Sequence, residues 1–68
     1  MVDRMSAIRQ EIFMFIKNYG ENRRVRMINI QLFSDKKRIS RREMGIAIQD
    51  LKDKKAIFYN PRRGWIAR

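Results

Sequence analysis

The chain contains neither cysteine nor histidine, and each absence removes a class of function. Without cysteine there is no disulfide and no thiolate ligand for zinc. Without histidine the usual general base and the Ser-His and Cys-His nucleophile pairs are missing. The seven carboxylates are spread among basic neighbours rather than paired in an apolar stretch. We therefore expect no catalytic constellation, no metal site and no cofactor, and we predict that the protein is not an enzyme.

Long apolar runs are also absent. The longest, such as residues 12–16, are far shorter than the roughly 20 residues that cross a bilayer, and no signal peptide is visible at the N-terminus. We therefore expect an intracellular protein, in the cytoplasm or the nucleoid. The 68 residues show no repeat, low-complexity tract or linker, which predicts one domain over residues 1–68.

The formal net charge of +10 is distributed unevenly. Residues 1–22 hold three basic and three acidic side chains, whereas residues 23–68 hold fourteen basic and four acidic ones. The whole positive excess therefore lies in the second part of the chain. This asymmetry predicts a polyanionic partner, with nucleic acid the first choice and an anionic membrane surface the second.

Residues 5–19 predict an amphipathic first helix. Apolar residues recur there every three or four positions on one face, and Gly20 is placed to end the helix. Asp3 or Ser6 is the expected N-cap, and the sequence does not decide between them. The apolar stripe consists of Met5, Ile8, Ile12, Phe15, Ile16 and Tyr19.

Two further apolar residues of this helix, Phe13 and Met14, do not fit the stripe. Phe13 lies at its edge and Met14 nearly opposite to it, so the helix has a second apolar face. One interpretation is a stray exposed pair, which is common on protein surfaces. The other is a homodimer through the first helix, with Phe13 and Met14 as the candidate interface.

The stretch before the central helix has a weaker pattern. Residues 25–27 alternate apolar and basic side chains, as a short strand does. Residues 28–33 predict a short second helix with uncertain ends. Residues 34–38 form the expected turn, and their three consecutive cations lie where backbone phosphates would be if the next helix enters a groove. The apolar positions of the second helix are Ile28, Leu32 and Phe33.

The most strongly patterned stretch is residues 39–51, ISRREMGIAIQDL. Ser40 and Glu43 have the spacing of a capping box at a helix start, and Ile39 and Met44 that of the accompanying hydrophobic staple. From there one helical face carries small or apolar side chains, which predicts that this face is buried. The stripe consists of four small or apolar side chains, Met44, Ala47, Ile48 and Leu51, with Lys55 in line after them.

The opposite face of the same helix is polar. A long basic side chain at its N-terminal end, a glycine that permits close approach and an amide one turn later suit a helix in a DNA major groove. A solvated surface helix is the alternative. This face consists of Arg42, Gly45, Ile46, Gln49 and Asp53, with Arg41 and Lys52 at its edge.

The C-terminal residues predict a β-hairpin. Two short β-prone runs are separated by Asn, Pro and Gly, with Arg62 and Arg63 at the tip. Pro61 fixes one torsion and Gly64 can supply a positive φ, so the tip should be a preorganised turn. We expect Tyr59 and Trp65 to anchor its base. One strand face would carry Ile57, Tyr59, Trp65 and Ala67, and the other Phe58 and Ile66.

This order of elements, with ISRREMGIAIQDLKDKKAI over residues 39–57, resembles the winged helix-turn-helix family. The resemblance extends over residues 6–68. It implies an α+β fold of three helices with a short first strand and a C-terminal two-stranded hairpin wing. The chain departs from the family at Lys55, where members often carry glycine, and in a longer, more charged turn before the third helix. The matching positions are Ile39, Ser40, Met44, Ile48, Leu51 and Ile57.

The resemblance implies sequence-specific binding of double-stranded DNA, as in a small transcriptional regulator, with the third helix in the major groove. Arginine pairs with guanine and glutamine with adenine, so Arg42 and Gln49 are the expected base readers. Ile46 would contact a thymine methyl group, and the wing tip would lie on the backbone or in the minor groove. The candidate DNA-binding residues are Arg26, Lys36, Lys37, Arg41, Arg42, Gly45, Ile46, Gln49, Lys52, Arg62 and Arg63.

Three other functions remain open at this point. An RNA-binding or ribosome-associated winged helix would use the same cations on A-form phosphates. A protein-interaction winged helix would leave the concentrated charge without a purpose. Trp65 after a proline-containing wing also resembles the winged helices that bind left-handed duplexes, but residues 40–54 lack the asparagine and tyrosine of that subgroup. We expect no membrane partner and no small-molecule ligand.

Overall fold

The computed structural model describes residues 3–68 and has an α+β architecture of three helices followed by a two-stranded antiparallel hairpin. Helix α1 contacts α2, α3 and β2, so the core forms around it. The core consists of Ile8, Ile12, Ile16, Val25, Ile30, Ile39, Met44, Ala47, Ile48, Leu51, Ile57 and Trp65. The elements are α1 (Arg4–Tyr19), α2 (Met27–Lys36), α3 (Arg41–Asp53), β1 (Ile57–Asn60) and β2 (Gly64–Ala67).

Helix α1 begins one residue before the predicted start and ends as predicted. Asp3 is its N-cap, because the Ser6 backbone N–H donates to Asp3 Oδ1 at 2.7 Å. Gly20 follows the helix with a right-handed φ of −72°, so a left-handed conformation is not what favours glycine here. A Cβ at this position would lie 2.6 Å from the Ile16 carbonyl oxygen, and this close approach accounts for the glycine.

Helix α2 differs most from the sequence prediction. The expected strand at residues 25–27 is reduced to one parallel bridge between Val25 and Gly64. The strand prediction was wrong because the Arg26 backbone N–H donates to the Asn29 side chain at 2.9 Å, which starts the helix at Met27. The buried positions of α2 are Ile30 and Ser34, whereas the predicted Ile28 and Leu32 are more than half exposed and Phe33 is partly buried.

The predicted turn at residues 34–38 was also too long. Its first three residues belong to α2, which ends in a Schellman motif: Ile39 N–H donates to Ser34 O at 2.8 Å, and Arg38 N–H donates to Asp35 O at 3.2 Å. Arg38 has a φ of 58° and takes the left-handed position that glycine usually fills. This compact ending places α3 directly after α2.

Helix α3 confirms the predicted capping box and buried face. Glu43 N–H donates to Ser40 Oγ at 3.1 Å, and Ser40 N–H donates to Glu43 Oε1 at 3.0 Å. A second Schellman motif ends the helix, with Lys55 at a φ of 59° and Ala56 N–H donating to Leu51 O at 2.9 Å. Met44, Ala47, Ile48 and Leu51 are buried.

The hairpin has the predicted faces and a three-residue tip. The pairs Tyr59 with Trp65 and Phe58 with Ile66 place these residues on opposite faces, as expected. Trp65 is buried, but Tyr59 is 51% exposed, so the prediction that both rings anchor the hairpin was wrong for Tyr59. The Tyr59 ring meets only the edge of Trp65, with the centroids 5.5 Å apart.

An ion pair joins α1 to the start of α3. Arg4 Nε and Nη2 donate to the two carboxylate oxygens of Glu43 at 2.6 and 3.2 Å, and Arg4 Nη2 also donates to the Arg38 carbonyl at 3.2 Å. The hydrogen bond from Arg4, followed by that from the Ser40 backbone, lowers the pKa of Glu43 from 4.5 to about 2.

The lowered pKa predicts acid sensitivity. Because it lies below the ordinary value of 4.5, ionised Glu43 stabilises the fold above that pH, and this contribution is lost as the pH falls towards 2. Thermal melting of Glu43→Gln should show lower stability than wild type at pH 7, with the two converging near pH 2. Arg4→Gln should flatten the pH dependence in the same way. Parallel melting curves for wild type and both variants over this range would contradict the role of the pair.

Candidate nucleic-acid interface

The outward face of α3 is the face opposite the apolar stripe that the core buries. All eleven predicted DNA-binding residues are exposed, while the apolar stripe of α3 lies in the core. Ile46 is 46% exposed, so its side chain is accessible to a partner. Gln49 Nε2 donates to Asp53 Oδ1 at 2.9 Å, so the amide is oriented while its carbonyl oxygen and second N–H stay available for a base.

The acidic residues on the inner side of α3 are paired with α1. Arg9 Nη1 lies 3.2 Å from Asp50 Oδ2, and Arg4 binds Glu43 as described above. The basic residues of α1 thus neutralise two of the carboxylates of α3. The outward side of α3 therefore carries more basic than acidic side chains.

Two arginines occupy the first turn of α3. Arg41 Nη2 lies 3.4 Å from Asp35 Oδ2 in an exposed pair, which contributes little to stability. Arg42 is exposed beside it. Cations at a helix N-terminus oppose the macrodipole, and each such charge costs about 0.3–1 kcal/mol at low salt. These arginines are therefore unfavourable for the helix itself and suit the binding of an anion from outside.

Gly45 lies in the middle of α3 with no packing reason to be glycine. A Cβ built at this position meets no described heavy atom within 4 Å. Glycine inside a helix is roughly 1 kcal/mol less favourable than alanine. The absence of a side chain therefore suits the close approach of a partner to the outward face.

The remaining predicted residues lie around α2 and the hairpin. Arg26 is the N-cap of α2, and Lys36 and Lys37 lie at its C-terminal end. The Nζ of Lys52 lies 5.8 Å from the Trp65 ring centroid, which ties the end of α3 to the base of the hairpin. Of the predicted set, the structure brings Arg62 and Arg63 into one pocket, whose other residues the sequence interpretation missed.

That pocket lies between the α1–α2 connection and the hairpin tip. Arg23 and Arg24 line it together with Arg62 and Arg63. The sequence interpretation treated residues 21–24 as a polar connection only. Arg23 and Arg24 immediately precede Val25, and Arg62 and Arg63 immediately precede Gly64. This repeated Arg-Arg pair was the sequence signal that could have indicated the pocket.

The two residues predicted for a dimer interface lie in different surroundings. Phe13 is partly buried against the core, whereas Met14 is 40% exposed. Met14 lines an apolar groove between α1 and α2. The aromatic floor of the groove is a stack in which the Phe15 centroid lies 5.1 Å from that of Tyr19 and 4.5 Å from that of Phe33.

Comparison of the chain with protein-family models, with curated proteins and with solved structures gave no match. Over residues 3–68, none of the helices is long and apolar enough to cross a membrane. The same residues contain no group of three acidic, histidine or cysteine side chains arranged to hold a metal ion. The geometry of the outward face of α3 and of the hairpin therefore carries the functional argument.

Gly45→Ala should separate stability from binding. The added methyl has free space and favours the helix, so the variant should be more stable by about 0.5–1 kcal/mol in urea unfolding. It should also bind duplex DNA more weakly, since the methyl obstructs close approach. A more stable variant with unchanged DNA affinity would show that the partner does not approach α3 at this residue.

Proposed function

We propose that this protein is an intracellular winged helix-turn-helix that binds specific double-stranded DNA, as a small transcriptional regulator does. In this proposal α3 enters the major groove and the hairpin is the wing. The observation that carries it is the outward face of α3, where Arg42, Gly45 and Gln49 are exposed on a helix whose inner face is fixed by the core.

The arrangement around α3 supports the winged form. Val25 forms a single bridge with Gly64 of β2, while β1 pairs with β2 along its length, and this bridge is compatible with the position of a first strand in the winged fold. Lys55, where family members often carry glycine, has a φ of 59°, a conformation that favours glycine. The turn before α3 closes within four residues, 37–40, and is therefore short.

A second candidate, binding of RNA, is favoured by one specific feature. Phe58 and Tyr59 are exposed on β1 and line a groove with three basic side chains. The Arg68 guanidinium lies 5.6 Å from the Phe58 ring centroid. Exposed aromatic rings beside cations provide stacking surfaces for unpaired bases. The cations that line this groove are Lys52, Lys55 and Arg68.

The test of the DNA proposal separates base reading from backbone binding. On a duplex selected from a random library, Arg42→Ala and Gln49→Ala should each lose about 1–3 kcal/mol of binding free energy, and much less on random duplex. Arg26→Ala, which removes a cation at the start of α2, should weaken both duplexes similarly. Fluorescence anisotropy gives the affinities.

Two results would contradict this assignment. Equal losses on both duplexes for all three variants would mean that α3 reads no bases. Stronger competition by single-stranded or duplex RNA than by the selected DNA duplex, together with a loss of that binding in Phe58→Ala, would favour the RNA function.

We further propose that two copies associate through the groove between α1 and α2. The groove is lined by the exposed Met14 and the partly buried Phe33, and it is bordered by Glu11 from α1 and by Lys37 from the end of α2. In a two-fold dimer each contact occurs twice, so Glu11 of one copy can face Lys37 of the other. A second copy would therefore cover the apolar side chains of the groove and pair the opposite charges at its rim. Two readers on one duplex would also double the contacts of a small domain.

A charge exchange tests this dimer. Wild type should sediment as a dimer at high protein concentration, and Met14→Glu as a monomer. Glu11→Lys alone should dissociate it, because two lysines would then face each other, and the double variant Glu11→Lys with Lys37→Glu should restore it. A monomeric wild type, or no effect of Met14→Glu, would exclude this interface. Phe13→Glu is unsuitable, since Phe13 packs against the core.

A further inference from the structure

We propose that Arg23, Arg24, Arg62 and Arg63 form a phosphate-binding pocket between the α1–α2 connection and the hairpin tip. The pocket has a volume of about 430 Å³ and opens to solvent. The inference rests on the proposed function in one respect: we take the phosphate to be that of a nucleic-acid backbone, bound beside the site of α3.

The backbone brings the two arginine pairs together. Trp65 N–H donates to Val25 O at 2.9 Å, and the bridge between Val25 and Gly64 is parallel. Residues preceding Val25 therefore lie beside residues preceding Gly64. Each of these segments ends in two arginines, so four arginines line one pocket.

The close approach of the two segments depends on glycine. Gly64 has a φ of 78°, and a Cβ at this position would lie 2.2 Å from the carbonyl oxygen of Val25. No side chain fits there without displacing the backbone. The pairing of the arginine segments is thus built into the chain and does not result from chance contacts of long side chains.

Hydrogen bonds hold the frame of the pocket. Arg24 Nη1 donates to the Arg62 carbonyl at 3.3 Å, and Arg24 Nη2 donates to the Tyr59 hydroxyl at 3.4 Å. The backbone N–H groups of Arg62 and Arg63 both donate to Asn60 Oδ1, at 2.8 and 3.0 Å, which fixes the turn.

The charge of the pocket indicates its ligand. Four guanidinium groups are opposed by one carboxylate, that of Glu21, which leaves a formal excess of three positive charges. Like charges gathered in this way repel one another, and a bound anion relieves the repulsion. Guanidinium groups are planar and donate in pairs to phosphate oxygens, so a phosphate matches both their charge and their geometry. Arg23 also lies over the Tyr19 ring, 5.4 Å from its centroid, which limits its motion.

The first arm of the test uses inorganic phosphate and pyrophosphate. In NMR titrations at constant ionic strength, the arginine Nε–H signals of the pocket should shift saturably in wild type. Arg23→Gln with Arg24→Gln should abolish the shifts of the remaining Arg62 and Arg63 signals, while the control Lys54→Gln, which removes one charge outside the pocket, should keep them. Thermal melting of both variants establishes that they are folded.

The second arm uses duplex DNA. The slope of log K against log salt should become less negative by about 1 for each backbone phosphate that the arginine double variant no longer binds. Arg24→Lys, which keeps the charge but not the paired donors, should give an intermediate affinity.

The outcomes separate the pocket from the proposed function. Saturable shifts in wild type that disappear in the arginine double variant support the pocket, and a reduced salt slope identifies nucleic acid as its source of phosphate. The same shifts in a protein that binds no duplex DNA support a pocket for a free phosphate compound and remove the proposed function. No saturable shift, with wild-type DNA affinity and salt slope in a folded double variant, overturns the pocket and leaves the function of α3 intact.

Discussion

The packing of α1 against the inner face of α3 is the interaction on which the rest of the structure depends. Ile8, Ile12 and Ile16 repeat every four residues and are buried, and α3 presents its own apolar stripe to the same core. In a chain of this length only roughly 60% of the unfolded surface is buried, so the core is small. The rotation of α3 about its axis is thereby fixed, and its polar face is directed outward.

The paired carboxylates of α3 reinforce this arrangement. Arg4 and Arg9 lie on α1 and bind Glu43 near the start and Asp50 near the end of α3. The Arg4 pair is largely exposed and the Arg9 pair partly buried, so both contribute modestly to stability. They also place two of the three carboxylates of α3 on the side of α1. Because these two carboxylates are paired with α1, the basic residues of α3 predominate on its outward surface.

Elements with local signals were predictable from the sequence. The capping box of Ser40 and Glu43, the stripes of α1 and α3 and the Asn-Pro and Gly positions of the hairpin act over a few residues, and the structure contains each of them. Helix α2 was predicted poorly because the residues at its two ends are not those that usually cap a helix. Its N-cap is an arginine, and its C-terminal left-handed residue is Arg38 rather than glycine.

The candidate site also has one part with a local sequence signal and one part without. The outward face of α3 could be predicted, since helical periodicity alone places its residues opposite the buried stripe. The pocket of four arginines was not predicted, because its one sequence signal is the repeated Arg-Arg pair, and Arg24 and Arg62 are 38 positions apart and are brought together by the bridge of Val25 with Gly64. A single bridge of this kind has no periodic pattern in the sequence.

The cations of the chain therefore fall into two physical groups. Arg38 and Lys55 hold left-handed positions that cost a non-glycine residue about 1–2 kcal/mol, but they lie at helix C-termini, where a positive charge interacts favourably with the macrodipole. Arg41 and Arg42 lie at a helix N-terminus, where the same interaction is unfavourable. Structure accounts for the first group. In the second group the exposed pair of Arg41 with Asp35 offers partial compensation, and the arginines at the hairpin tip have one carboxylate, that of Glu21, beside them; a bound anion, as proposed above, would compensate both sets of charges.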